Sequence, residues 1–159
     1  SKQPVQKGTV DKFRMNSEDR QLSGTFESNK GRLPMPITGA YVIVGRYGQY
    51  AVAKNVRLDN KGIDIRGKEG AKARAVFDGE VTQCFSVPGS NQSVIVKHGN
   101  YRTVYSNLVT LYVKVGDKVS TKQKIGKVFT DTENDNKTEL YFMLYKDTEI
   151  QNPENWLAK

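Results

Sequence analysis

The stretch KTELYFML, Lys137 to Leu144, alternates with the two-residue period of an extended strand. Leu140, Phe142 and Leu144 fall on one side, and Glu139, Tyr141 and Met143 on the other. The first set suits a core. The second places a carboxylate and a phenol side by side on the opposite face, so that face is either ordinary wet sheet or the wall of a site. Outward from this stretch the same texture recurs in AYVIVG (40–45), YAVAKNVRL (50–58), GIDIRG (62–67), ARAVFDGEVTQCFSV (73–87), QSVIVKHG (92–99), YRTVYSNL (101–108) and KIGKV (124–128). These runs are short, rich in Val, Ile, Tyr and Thr, and separated by Gly, Asn and Asp. The class they define is all-β, a small two-sheet antiparallel β-sandwich.

The chain of 159 residues has the length of one domain with an appendage. Residues 1–30 are polar, with Val5, Val10, Phe13, Met15, Leu22 and Phe26 as their sizeable apolar groups. Within them NSEDRQL starts a short helix, with Asn16 or Ser17 as N-cap and acids in the first turn. This segment reads as a tether, or as the end of a preceding helical or coiled-coil element, and residues 31–159 read as the domain. A weak internal echo joins EGAKARAVFDGEV to VGDKVSTKQKIGKV, two glycine-bracketed hairpins. On that pattern alone a lipoyl- or biotin-carrier domain stays open, although Lys118 in VGDKVS is explained by a solvated turn.

Composition excludes several classes. The formal net charge of +8 suits an anionic partner. Yet Lys and Arg are dispersed, and no RNA-binding aromatic signature, zinc knuckle or helix-turn-helix pattern appears, so nucleic acid is not expected. No apolar run approaches a membrane span and no signal-peptide pattern is present, so no membrane insertion by this segment is expected. Cys84 is the only cysteine and His98 the only histidine. An intrachain disulfide and a Cys-rich metal site have no residues to build them, and a Ser-His-Asp triad is not expected because His98 has no nucleophile motif to serve.

The order of segments resembles the LytM or lysostaphin-type zinc peptidase domain from about Gly31 to Trp156. KGRLPMPITG is similar to that family's G-x-L-P-x-P-V-x-G, and NKGIDI stands where it has H-x-G-x-D-I. VIVKHGNYRTVYSNL matches V-x-I-x-H-G-x-x-x-T-x-Y-x-H-L. VKVGDKVSTKQKIGKV matches V-x-V-G-x-x-V-x-x-G-Q-x-I-G, with Lys122 in place of a glycine. ELYF lies where H-L-H-F belongs, and NPENWL matches D-P-x-x-W-L.

The departures carry the functional expectation. The resemblance implies metal ligands at Asn60, Asp64 and Tyr141, where the family has His, Asp and His, and catalytic histidines at the positions of Asn107 and Glu139. An amide is a poor zinc ligand and a phenol binds zinc weakly near neutral pH, so no metal, cofactor or catalytic residue is expected. A degenerate LytM domain with LYF here particularly resembles the murein hydrolase activators of the EnvC type. That resemblance implies an extracytoplasmic, periplasmic domain that binds a peptidoglycan amidase, displaces its autoinhibitory element and so promotes wall cleavage in daughter-cell separation. The expected partner-binding groove comprises Asn60, Lys61, Asp64, Tyr105, Asn107, Glu139 and Tyr141. Two alternatives stand beside it: a module that binds peptidoglycan without activating an amidase, and a metallopeptidase with an atypical site.

Overall fold

The computed structural model describes residues 16–53 and 56–159, with 49–53 and 56–58 by backbone alone. The part of the N-terminal segment before Asn16 lies outside the described residues. Among the described residues one helix, α1 (Ser17–Ser28), precedes thirteen strands. These are β1 (Val42–Gly45), β2 (Gly48–Ala53), β3 (Val56–Asn60), β4 (Ile63–Gly67), β5 (Lys72–Arg74), β6 (Gly79–Ser86), β7 (Gln92–His98) and β8 (Tyr101–Leu111). They continue with β9 (Lys118–Val119), β10 (Lys124–Val128), β11 (Thr130–Asp131), β12 (Lys137–Lys146) and β13 (Glu149–Gln151), followed by a 3-10 turn at Pro153–Asn155. The all-β antiparallel class expected from the strand texture is what the chain adopts.

The main sheet runs in the order β1-β4-β12-β8-β7-β6-β9, while β5 and β10 pair with each other and β2 and β3 form a separate hairpin. Strand β8 belongs to both layers. Its first part pairs β12 and β7 through Ser106, and Leu108 to Leu111 pairs β10, with Leu108 also opposite Gln92 of β7. The residue skipped between them, Asn107, takes φ +78° and makes the bend. Lys122, which stands where the resemblance has glycine, likewise adopts φ +71°.

Leu140, Phe142 and Leu144 are fully buried, as the alternation demands, and meet Ile63 and Ile65 from β4. Ala73, Ile125 and Val128 close the core from the second layer. The two ends of the domain are tied together: the N–H groups of Gly31 and Leu33 both donate to the Trp156 carbonyl, at 2.9 and 3.2 Å, and Ala158 N–H donates to Leu33 O at 2.7 Å.

Helix α1 is capped by Asn16, whose side-chain oxygen accepts from Asp19 N–H at 2.8 Å. Its sequence is polar, but Phe26 is fully buried, stacked on Tyr101 at 4.6 Å and on His98 at 4.9 Å between ring centres. Polar contacts fix the rest of the helix. Ser23 Oγ accepts from Asn100 N–H at 2.7 Å, Tyr101 donates to Glu27 at 2.6 Å, and Lys97 pairs with Asp19 at 3.3 Å. At the contact Gly99 has φ +71°, and a side chain there would run into Ser23 and the backbone of Asp19.

His98 belongs to this core. Its Nδ1 lies 2.8 Å from Asp78 O and its Nε2 2.9 Å from Thr103 Oγ1. A carbonyl only accepts, so Nδ1 carries the proton in the neutral ring and Nε2 faces the hydroxyl. Thr103 Oγ1 is in turn 2.8 Å from Tyr105 Oη, which accepts from Val76 N–H at 3.1 Å. Burial pushes the imidazole down to about 4, against a partial upward pull from the Asp78 carbonyl.

Candidate functional site

The outer face of the main sheet gathers most of the residues singled out in the sequence. In register, Tyr141 of β12 sits between Asp64 of β4 and Ser106 of β8, and Glu139 sits opposite Arg66. Directly opposed residues share a sheet face, so Asp64, Arg66, Glu139 and Tyr141 form one continuous surface. The turn from β3 to β4 borders it at Asn60, Lys61 and Gly62.

Asn60 is the hub. Its Oδ1 accepts from Gly62 N–H at 3.2 Å, which closes the turn, and from the Tyr141 hydroxyl at 3.0 Å. Its Nδ2 donates to Asp64 Oδ2 at 3.4 Å. The three positions of the expected ligand set therefore do converge, but they satisfy one another. Burial raises the Asp64 carboxyl above its ordinary value, the neighbouring charge of Glu139 adds to this, and the Asn60 amide partly opposes it. Burial raises the Tyr141 phenol too, with the Asp64 charge second, so the hydroxyl stays protonated at neutral pH. A neutral amide, a neutral phenol and one carboxylate do not fit zinc, which takes imidazole, thiolate and carboxylate donors. Among the described residues no three of His, Cys, Asp or Glu cluster as a metal would need.

Glu139 is held by Arg66, whose Nε and second guanidinium nitrogen lie 2.8 and 2.7 Å from the same carboxylate oxygen. Arg66 was not among the expected residues, although it alternates with Asp64 in GIDIRG and so shares its face. Lys61 is exposed at the turn and pairs loosely with Asp59 at 3.6 Å.

Two expectations are revised by position. Tyr105 is fully buried and lies on the core side of β8, opposite Phe142, with its hydroxyl tied to Val76 and Thr103. It is a core residue and not part of the groove. Asn107 is at the site but its side chain is occupied: Nδ2 donates to Glu139 O at 2.7 Å and Oδ1 accepts from Asn91 at 2.8 Å. Asn107→Ala loses both bonds and strains the positive φ, so chemical denaturation should show a loss of about 3 kcal/mol. Asn107→Gly keeps the backbone conformation and should lose about half as much; equal losses would refute a role for the backbone.

A β-sandwich whose convergent motif positions are Asn60, Asp64 and Tyr141 defines a degenerate LytM-type domain. The chain belongs to peptidase family M23, whose family model matches residues 58–153. It is similar to the murein hydrolase activator EnvC of Escherichia coli (strain K12), 28% identical over 162 aligned positions covering 99% of this chain and 37% of that protein. It is also similar to stage II sporulation protein Q of Bacillus subtilis (strain 168), 33% identical over 104 residues, or 63% of this chain and 37% of that one. Among solved structures, a chain of the SpoIIQ–SpoIIIAH pore-forming complex superposes with a TM-score of 0.68 at 26% identity, covering 82% of this chain and 93% of that one. The chain thus spans little more than a third of the length of these curated relatives. No helix among the described residues is long and apolar enough to cross a membrane.

Proposed function

We propose that this chain is a non-catalytic regulator that binds and activates a peptidoglycan amidase outside the cytoplasm, in cell-wall remodelling and daughter-cell separation. The supporting observation is the closed hydrogen-bond cluster of Asn60, Asp64 and Tyr141 at the position of the family's ligand set. Similarity to a murein hydrolase activator over nearly the whole chain supports the activator role. The contact surface is the sheet face around Tyr141, rimmed by Lys61 and Arg66. Tyr141 supplies rigid area that is already oriented by its bond to Asn60, which lowers the ordering cost of association.

Activation of this kind is a population shift. Moving an amidase from 1:99 to 99:1 open over closed requires about 5.5 kcal/mol of preferential binding to the open form. Three anchor residues of about 2 kcal/mol each are enough. The test is dye release from labelled peptidoglycan by the cognate amidase, with and without the chain. Release is expected only when both are present. Release by the chain alone would restore an enzymatic reading, and no gain over the amidase alone would refute the activator role.

A further inference from the structure

The second layer carries a feature that the face around Tyr141 does not use. In the pairing of β10 with β5, Lys127 lies directly opposite Lys72 and Lys124 directly opposite Arg74. Like charges opposed across a ladder destabilise it. None of these four cations enters an ion pair among the described residues. Lys72 Nζ and Arg74 Nε turn instead to backbone carbonyls, those of Gly70 at 2.7 Å and Met35 at 2.8 Å, while Lys124 and Lys127 are exposed. The carboxylate beside them, Glu69, lines a shallow cleft with Lys127 and makes no ion pair among the described residues either.

Direction follows from alternation. Ala73 lies between Lys72 and Arg74, Ile125 follows Lys124 and Val128 follows Lys127; these three are fully buried in the core that Leu140 and Phe142 enter from the main sheet. The four cations therefore point away from that core, on the side of the sandwich remote from Tyr141. They form a grid with strands about 4.8 Å apart, and the next strand adds Thr110 opposite Lys127. A surface built to lie on lipid places apolar side chains among its cations. The outward positions of β5 and β10 hold none; the exposed Val109 lies beyond them, in the cleft beside Lys127.

The geometry points to a docking surface at Lys72, Arg74, Lys124 and Lys127 for a repeating carboxylate polymer, the peptidoglycan strand with its acidic stem peptides. Two opposed like-charge pairs weaken the fold and gain nothing within it, whereas a polyanion laid across them neutralises both. The choice of the wall as the source of carboxylates rests on the cell-wall reading above; the basic face itself does not. With cations on one side and Tyr141 on the other, the chain holds the wall and a protein partner at once.

The test uses the full chain and its Lys124→Glu/Lys127→Glu variant, sedimented with purified sacculi at low and raised salt. Parallel samples contain sacculi with amidated carboxylates, and phosphatidylglycerol vesicles. The unmodified chain should pellet with intact sacculi at low salt and be released by salt. The variant should bind about tenfold more weakly, and amidation should abolish the difference between the two. The melting temperature of the variant should not fall, because each new carboxylate faces Lys72 or Arg74. Equal pelleting of variant and parent, a preference for vesicles, no pelleting at low salt, or an unfolded variant would each overturn the proposal. Amidase binding in solution should be the same for both proteins. If the parent binds sacculi but no amidase, the activator reading falls and the basic surface stands.

Discussion

Tyr141→Ala is expected to abolish amidase activation and to weaken amidase binding by at least about thirtyfold, or about 2 kcal/mol. The ring stands half-buried on the outer face, between Asp64 and Ser106 in register. Its hydroxyl is already engaged, donating to Asn60 at 3.0 Å. The aromatic surface, not the polar tip, is therefore what a partner receives. Tyr141→Phe should retain most of the affinity, losing about threefold through a less firmly placed ring. Titration calorimetry with the amidase separates the cases. Full affinity in the Ala variant would remove this face from the mechanism, and a Phe variant as weak as Ala would make the hydroxyl the contact. Circular dichroism shows whether either variant is folded.

His98 makes stability depend on pH on the acid side of neutrality. Its ordinary value is 6.5 and burial lowers it to about 4 in the folded chain. As pH falls the unfolded chain takes up this proton first, so the contribution is fully present above about 6.5 and is lost progressively down to about 4. Across that window the loss amounts to about 3 kcal/mol. Glu27, lowered first by the Tyr101 hydroxyl and then by Lys146, loses stability at lower pH as well. Asp64, raised by burial, works in the opposite sense and binds its proton more readily when folded. The measurement is therefore a difference. Urea unfolding of the parent and of His98→Gln at pH 7 and pH 4 should show a fall smaller by about 3 kcal/mol in the variant. Identical slopes would mean that His98 titrates alike in both states.

The strand alternation of KTELYFML was legible because one face is wholly apolar: Leu140, Phe142 and Leu144 are each fully buried. YRTVYSNL was harder, since both of its faces carry mixed residues. Tyr101, Thr103 and Tyr105 go inward because hydrogen-bond partners wait there for their hydroxyls, and Val104 and Ser106 take the opposite face, where Val104 is nonetheless buried. No periodicity announces a partner such as the Val76 amide on another strand. The packing of α1 was hidden for a related reason. A single residue, Phe26, supplies its attachment to the aromatic core, and one apolar position makes no stripe. Arg66, by contrast, was within reach, two residues from Asp64 on a strand already identified.

The contacts of α1 determine more than its own position. Asp19, Ser23, Phe26 and Glu27 grip the sheet along the whole helix, and Phe26 lies 5.3 Å from Trp156, the residue that also clasps Gly31. The chain therefore enters the sandwich at a point and along an axis that these contacts define. The direction of α1 and the direction in which Tyr141 faces are thereby fixed relative to one another.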